Sequence, residues 1–115
     1  MLSKLNRFHG HQSVRRVYKQ GSAERNALGS LHVFSDQKTS ATKAAVVVSK
    51  KVDKSAVVRN RIRRRIYELV RAHMADFSHP ANLVFTIYKT DAATMPAEKL
   101  DGEVKNLLER AKLLK

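Results

Sequence analysis

The spacing of apolar residues at the start of the chain predicts an irregular arm and then a short amphipathic helix. Residues 1–11 show no periodic pattern. From Gln12 to Gln20, the residues Val14, Val17 and Tyr18 fall on one helical face at i, i+3 and i+4 spacing. Gly21 follows, as is typical of the position just after a helix C-terminus. We therefore expect the first helix to end at Gln20.

Three runs rich in β-branched and aromatic residues predict strands. They are Leu31–Ser35, Ala44–Ser49 and Leu83–Tyr88. The polar residues 22–29 predict a loop, with an extra short strand as the alternative, and residues 36–43 predict a turn. We therefore expect a small sheet with helices before, between and after its strands.

A long helix is expected from Ala56 to about Ala75, after a basic loop over residues 50–54. Ser55 can cap this helix, because its hydroxyl can accept a hydrogen bond from a backbone N–H of the first turn. An apolar stripe with a helical period predicts the side that packs on the sheet. Its members are Val58, Ile62, Ile66, Leu69, Val70 and His73.

The last third of the chain predicts another packing helix. Thr94 and Pro96 are typical of a helix start with proline in the first turn, and the helix is expected to run to about Leu113. The element order α, β, β, α, β, α predicts an α+β fold of the sandwich type, in one domain over residues 1–115. The residues expected to face the sheet are Leu100, Val104, Leu107, Leu108 and Ala111.

The charge of the chain indicates a polyanionic partner. Twenty-three Lys and Arg residues oppose ten Asp and Glu residues, which gives a net charge of +13. Residues 50–71 carry nine basic and two acidic side chains, whereas residues 72–115 carry six of each. Basic side chains that contact phosphates release condensed counterions, so this charge favours nucleic acid. We expect the middle of the chain to bind it and the last third to be scaffold.

Other classes of protein fit the composition less well. The chain has no cysteine, which excludes disulfides and thiolate metal sites. It has no apolar run of the roughly 20 residues that a membrane span needs. Its first residues lack the apolar stretch of a signal peptide. We therefore expect a cytoplasmic protein with no membrane partner.

The helix expected after Ser55 is rich in arginine and contains one acid up to Arg71, Glu68. In isolation, like charges four residues apart repel by a few tenths of a kcal/mol per pair, so the run favours a surface that faces phosphates. Arginine adds bidentate phosphate contacts and stacking on bases. A solvated charged face is the alternative, although such faces usually mix both signs. The six arginines are Arg59, Arg61, Arg63, Arg64, Arg65 and Arg71.

Catalysis by the protein's own side chains has little support in the sequence. The spacing of His9, His11 and the later histidines suggests no acid–base pair around one phosphate. His73 lies on the apolar stripe, where a structural role is commoner. The acidic residues are scattered through expected loops and helix ends, so a two-metal carboxylate site is not expected. We predict no catalytic residue and no metal ligand in the protein.

One segment carries a specific resemblance to a known family. Residues 48–52 read Val-Ser-Lys-Lys-Val, and residues 56–64 read Ala-Val-Val-Arg-Asn-Arg-Ile-Arg-Arg. This pattern resembles the signature of bacterial ribonuclease P proteins, in which a strand ends in Ser-Lys-Lys and a short loop leads to an alanine–valine pair and Arg-Asn-Arg. Asn6-Arg7 and residues 17–21 also fit. The resemblance spans nearly the whole chain, and residues 48–65 make it specific.

The resemblance implies a fold and a function. The family has a ribosomal protein S5 domain 2-like α/β sandwich with a small mixed sheet. Its Arg-Asn-Arg helix lies in a left-handed β-α-β crossover, whereas physical rules alone favour a right-handed one. The family binds the catalytic RNA of ribonuclease P and the single-stranded leader of precursor tRNA, and assists removal of the leader. The chemistry and Mg²⁺ are expected in the RNA, with one protein per RNA.

The resemblance also implies which residues bind. Tyr18 and Phe34 would line a leader cleft between the first helix and the sheet, where exposed rings can stack on bases. A place in the core is the alternative for both. Val14 would line the cleft where the family often has an aromatic residue, so leader binding is expected to be weaker or differently shaped. The expected contacts to the catalytic RNA are Ser49, Lys50, Lys51, Arg59, Asn60, Arg61, Arg64 and Arg65.

Two other functions stay open at this point. A general structural or ribosomal RNA-binding protein would bind tRNA equally well with or without a leader. An independent nuclease would cleave precursor tRNA without an RNA partner. Within the motif, Asn60 is expected either to cross-link the helix by hydrogen bonds or to lie on its surface.

Overall fold

The structure is a computed structural model and describes residues 11–35 and 41–114, with side chains in the first range from Arg15 onward. The expected arm over residues 1–10 lies outside the described residues, as does most of the turn expected over residues 36–43. The helices and strands, in chain order, are α1 (His11–Gln20), β1 (Ser22–Arg25), β2 (Gly29–Phe34), β3 (Lys43–Val47), α2 (Ala56–His73), β4 (Asn82–Ile87) and α3 (Ala97–Arg110). Two 3-10 turns, Met74–Asp76 and Thr90–Ala93, follow α2 and β4.

The predicted α+β architecture is confirmed, with a change at the second strand. The extra short strand that was the alternative for residues 22–29 is present as β1. The next strand begins at Gly29 and not at Leu31. A Cβ at Gly29 would overlap the carbonyl oxygen of Thr86 on the neighbouring strand. Glycine therefore belongs to this strand because two backbones approach closely there, although glycine usually indicates a loop.

The sheet is mixed, and its strands lie in the order β1-β2-β4-β3. The pairs β1–β2 and β2–β4 are antiparallel, whereas β3 and β4 are parallel. A parallel pair needs a crossover connection, and α2 supplies it between β3 and β4. The predicted β-α-β unit is therefore present. The left-handed sense of its crossover stays a prediction.

One face of the sheet forms the core with α2, α3 and the second 3-10 turn. Leu31, Val46 and Phe85 lie side by side on β2, β3 and β4 and are buried. The predicted stripe of α2 is confirmed, because Ile62, Ile66 and Val70 have no exposed surface, and Val58 and Leu69 pack at its edge. The predicted core residues of the last helix are also buried: Leu100, Val104, Leu107 and Leu108, with Ala111 half-buried beside them.

The helix ends differ from the predicted ones by a few residues. Ser55 caps α2 as expected, since its hydroxyl accepts a hydrogen bond from the N–H of Val58 at 3.3 Å. The chain after His73 tightens into a 3-10 turn, so α2 is shorter than predicted. Pro96 occupies the cap position of α3 and not its first turn. α3 ends at Arg110, and Lys112 adopts a φ of 60°, which a continuing helix does not allow.

The first helix packs on the opposite face of the sheet, across β2 and β4. Val17 is its buried anchor. At the edge of the sheet, the backbone N–H of Val46 on β3 donates a hydrogen bond to the hydroxyl of Tyr67 on α2, at 3.2 Å. The sheet thus has a closed core face and a second face that α1 covers only in part, since Ala45 and Val47 of β3 remain half-exposed there.

Candidate nucleic-acid interface

The basic loop, residues 50–54, is held in place by a carboxylate. The Oδ1 atom of Asp53 accepts a hydrogen bond from the N–H of Ser55 at 2.8 Å, and its Oδ2 atom accepts one from the hydroxyl of Thr90 at 2.7 Å. The bond from Thr90, then that from Ser55 and the charge of Arg59 lower the pKa of Asp53. The carboxylate therefore stays ionised and anchors the loop to the second 3-10 turn. Ser49, just before this loop, and Lys50 and Lys51 within it are exposed.

Two arginines of α2 are engaged with neighbouring backbone. Arg59 donates from Nη1 to the carbonyl oxygens of Asp53 and Lys54, at 2.8 and 3.0 Å. Arg65 donates from Nη1 to the carbonyl oxygen of Ala92 at 2.8 Å and from Nη2 to that of Met95 at 2.5 Å. Arg65 is thus tied to backbone outside α2. Its contact with RNA stays a prediction, but its guanidinium also holds the chain between β4 and α3.

The remaining arginines of α2 point to solvent or bond within the helix. Arg63 donates from Nη2 to Oδ1 of Asn60 at 2.5 Å, so the cross-link that was one alternative for Asn60 is present. Asn60 is nevertheless exposed. Arg61, Arg64 and Arg71 are exposed, and their guanidinium groups have no hydrogen-bond or ion-pair partner among the residues that the structure describes. These three guanidinium groups can therefore meet phosphates without first breaking an internal contact.

Tyr18 lies between α1 and the sheet with part of its ring in solvent. Its hydroxyl shares a hydrogen bond of 2.7 Å with that of Thr86 on β4. Its ring meets His32 edge to face, with centroids 4.5 Å apart and an interplanar angle of 70°. The side chain keeps 39% of its surface exposed. It is therefore fixed in position yet accessible, so the core alternative does not hold for Tyr18.

Phe34 shares this side of the sheet. It faces away from the core, because Leu31 and Val33 occupy the other face of β2. Its ring is half-buried, and the guanidinium carbon of Arg16 lies 5.2 Å from its centroid. That is within the range of a cation–π interaction. The structure therefore brings Tyr18 and Phe34 to one face as predicted, whereas the side chain of Val14 lies outside the described residues.

Sequence reasoning missed two residues on this face. His32 lies beneath Tyr18, where burial, followed by the charge of Arg25, lowers its pKa, so it is neutral at neutral pH. Tyr88 keeps 49% of its surface exposed, and its N–H is bonded to the carbonyl oxygen of Leu28 at 3.1 Å. Strand alternation would have found it, since it directly follows β4 and lies two residues after Thr86. We call the side with Tyr18, Phe34, Thr86 and Tyr88 the aromatic face.

The aromatic face leads directly into the basic loop. The parallel register pairs Val47 of β3 with Thr86 of β4. β3 ends at Val47 and β4 at Ile87, so Ser49, Lys50 and Lys51 follow β3 at the same end of the sheet at which Tyr88 follows β4. Tyr18, which is bonded to Thr86, and Tyr88 thus lie toward the end of the sheet from which the chain with the exposed lysines runs to α2. Phe34 lies toward the other end, beside Asn82. An aromatic platform beside a basic track is the combination that binds single-stranded nucleic acid.

Groups that could catalyse a reaction do not gather in the described part of the chain. His73 bonds through Nε2 to Oδ1 of Asp101 at 2.7 Å, which ties α2 to α3 and gives this histidine the structural role expected for it. No group of three or more His, Cys, Asp or Glu residues that could hold a metal ion occurs among residues 11–35 and 41–114. Within the same ranges, no helix is long and apolar enough to cross a membrane.

Comparison with known sequences finds one family. A family model described as Ribonuclease P matches residues 2–112. A ribonuclease P protein component from a Pseudanabaena species is 34% identical over 115 residues, which cover 99% of this chain and 97% of the relative. One from Prochlorococcus marinus is 35% identical over 109 residues, covering 94% and 81% of the two chains.

Solved structures show the same fold. A mutant of the Staphylococcus aureus RNase P protein, described as defective in mRNA degradation activity, superposes with a TM-score of 0.85 at 22% identity, over 96% of this chain and 92% of that one. The RNase P protein from Thermotoga maritima, in complex with 1-(4-fluorophenyl)-2-thiourea, superposes with a TM-score of 0.75 at 18% identity, over 86% and 94%. At these identities the likeness concerns the fold.

Proposed function

Since the chain belongs to the ribonuclease P protein family, we propose that it is the protein component of ribonuclease P. It binds the catalytic RNA of that enzyme and the single-stranded leader of precursor tRNA, and assists removal of the leader to give the mature 5′ end. The catalytic step and its Mg²⁺ belong to the RNA in this proposal. The protein works in the cytoplasm, with one copy per RNA.

One observation carries the proposal: the basic loop connects the end of the sheet near Tyr18 and Tyr88 to the arginine-rich helix. Exposed guanidinium groups of Arg61 and Arg64 suit the phosphates of a folded RNA, to which they can donate bidentate hydrogen bonds. Exposed rings such as Tyr18 suit unpaired bases, because each base offers a flat surface for stacking. A leader lying on the aromatic face would thus end beside the RNA held by α2.

The chain's own contribution is binding and orientation. The bond between Tyr18 and Thr86 fixes the ring against the sheet. The bonds of Asp53 to Ser55 and Thr90 fix the loop that carries Lys50 and Lys51. Side chains that are fixed before binding lose less conformational freedom when the RNA arrives. The protein would therefore raise the affinity of the holoenzyme for precursor tRNA without taking part in the bond cleavage.

Reconstitution tests this proposal. The full chain is mixed with a bacterial ribonuclease P RNA, and cleavage of precursor tRNA is measured at low Mg²⁺ with protein alone, RNA alone and both together. We expect activity of the mixture well above that of the RNA alone and none from the protein alone. Cleavage by the protein alone would identify an independent nuclease. No stimulation, with equal affinity for tRNA with and without a leader, would identify a general RNA-binding protein.

A further inference from the structure

A histidine lies beneath the ring of Tyr18, where α1 packs on the sheet. His32 is on β2 and faces the same side as Phe34, because the two residues are two positions apart in the strand. Its ring meets the ring of Tyr18 edge to face, with centroids 4.5 Å apart. Its Nδ1 atom is buried and has no hydrogen-bond partner among the described residues. One nitrogen of an ionisable ring is therefore shielded from water without a bond that replaces it.

The groups around His32 offer no anion that could pair with a protonated ring. On the described side chains of the elements packed against it, the ionisable groups are Arg15, Arg16, Tyr18 and Lys19 of α1 and Glu24 and Arg25 of β1, and β4 has none. Arg25 pairs with Ser30 across the strands and therefore lies on the face of His32. Glu24, the one acid among these groups, pairs with Leu31 and lies on the core face. A proton on His32 would therefore add positive charge beside Arg25 without a carboxylate partner.

We propose that His32 makes the packing of Tyr18 and α1 on the sheet sensitive to pH, with the neutral imidazole as the closed state. The neutral ring can carry its proton on Nε2 and leave the buried Nδ1 atom unprotonated. Protonation would put an N–H on Nδ1, and a buried donor without an acceptor is costly. The charged ring would also repel Arg25. Both costs are removed when the ring turns out to water, but its contact with Tyr18 is then lost and α1 is held less firmly.

The pKa of His32 agrees with this geometry. Burial, followed by the charge of Arg25, lowers the pKa from its usual value of about 6.5. The unfolded chain therefore takes up this proton at a higher pH than the folded chain. It follows that the neutral ring stabilises the packed form above about pH 6.5, and that this stabilisation is lost as the pH falls through the lower folded pKa. This pH switch is thus expected to act on the acidic side of neutrality.

The consequence for ribonuclease P rests on the function proposed above. Tyr18 can stack on a base of the leader only while its ring is held in position, and that position depends on His32 as well as on the bond to Thr86. Arg61 and Arg64, which are expected to contact the catalytic RNA, lie on α2, on the other side of the sheet. Acidification should therefore weaken binding of the leader more than assembly of the holoenzyme.

An NMR titration of the free, full chain tests the pH switch without RNA. The ring signals of His32, Tyr18 and the exposed His79 are followed from about pH 7.5 to about pH 5.5. Hydrogen exchange of the Gly21 amide, which donates to the carbonyl oxygen of Val17 at 2.9 Å, reports on the last turn of α1. We expect His32 to titrate at a lower pH than His79. The Tyr18 signals should move, and the protection of Gly21 should fall, at the midpoint of His32. Titration of His32 at the pH of His79, or without a response from Tyr18, would overturn the inference.

Two variants with the same chemical change test whether this histidine is the sensor. His32→Phe keeps a ring beneath Tyr18 that cannot be protonated, and His79→Phe makes the same change at an exposed position outside the helices and strands. We expect the protection of Gly21 to fall about threefold or more in acid in the parent and in His79→Phe, and to stay constant in His32→Phe. His32→Gln is the second non-ionisable variant if phenylalanine is too large for the site. An equal pH response in a folded His32 variant would contradict the inference.

The holoenzyme separates this inference from the function on which it rests. The ratio of the affinities for precursor and mature tRNA is measured at both pH values and at one salt concentration, so that effects common to the two RNAs cancel. We expect the ratio to fall in acid for the parent and to stay constant for His32→Phe. If the parent activates the catalytic RNA but its ratio stays constant in acid, or rises because the charged ring attracts leader phosphates, the inference fails alone. If the parent does not activate the RNA, the proposed function fails, while the NMR titration still judges the pH switch.

Discussion

The guanidinium of Arg65 on α2 donates a hydrogen bond to the carbonyl oxygen of Ala92, 2.8 Å away on the 3-10 turn that follows β4. Because Met95 also receives a bond from this group, Arg65 is part of the scaffold. Arg61, one helical turn earlier, is exposed and makes no such contact. Two arginines of the same basic helix, which the sequence alone did not distinguish, therefore have different energetic roles.

We predict that Arg65→Ala lowers the free energy of unfolding by about 1.5–3 kcal/mol, the usual value of hydrogen bonds from a charged donor. Arg61→Ala should change it by less than about 0.5 kcal/mol, as is usual for surface positions, while weakening binding to the catalytic RNA. Urea unfolding and a binding titration on the two single variants measure both quantities. Equal stability of the two variants would show that the contacts of Arg65 contribute nothing to the fold.

The aromatic face predicts a selective loss of leader binding. Phe34→Ala should weaken binding of precursor tRNA to the holoenzyme by about 1–3 kcal/mol, the value of one base–aromatic stack, and should leave mature tRNA unaffected. The ratio of the two affinities at one fixed salt concentration is the quantity to measure. Tyr18→Phe is the control, because it keeps a ring and removes only the bond to Thr86. A core role for Phe34 would instead lower folding stability by several kcal/mol and affect both ligands.

The salt dependence of RNA binding should show whether the lysines of the basic loop contact phosphates. Replacing Lys50 and Lys51 together by glutamine is expected to reduce the slope of log affinity against log salt by about 0.7–0.9 for each lost phosphate contact. Replacing Lys99 and Lys105 on α3 by glutamine removes the same charge from another surface and should leave the slope nearly unchanged. Equal slopes for the two double variants would mean that net charge alone governs binding.

The pH dependence of folding stability should show the contribution of Asp53, the carboxylate that anchors the basic loop. The pKa of Asp53 is lowered in the folded chain, first by the bond from Thr90 and then by that from Ser55. Its stabilising effect is therefore present above the unfolded pKa of about 3.9 and is lost as the pH falls through the lower folded pKa. The stability difference between the parent and Asp53→Asn should be constant near neutral pH and shrink below about pH 4. A difference that does not change with pH would rule out this linkage.

Regular periodicity was sufficient to predict the elements that build the core. The stripe on α2 and the cap by Ser55 follow from local chemistry, and both are confirmed. The start of β2 could not be predicted in this way, because Gly29 is required by the approach of Thr86 from a distant part of the chain. Local sequence patterns carry no information about a contact between residues that are far apart in the chain.

The same limit applies to the candidate site. The motif indicated which arginines belong to the basic helix, but it could not show that the guanidinium of Arg65 is directed to the chain after β4, since that contact joins residues 27 and 30 positions apart. Nor could it show the bond between Tyr18 and Thr86, which are 68 positions apart. Tyr88 could have been predicted from the sequence, because the alternation along β4, continued by one residue, places its side chain outside the core.

The bond from the N–H of Val46 to the hydroxyl of Tyr67 has a consequence for how copies of the protein behave when they are crowded. β3 is an edge strand made largely of alanine and valine, and an open edge of this kind is a template on which another chain can add a strand. The hydroxyl of Tyr67 already accepts the hydrogen bond from the N–H of Val46 on that edge. A strand of a second molecule would need this N–H as a donor and would find it engaged. By this contact the helix that carries the arginines also makes this edge of the sheet a poorer template for a second chain.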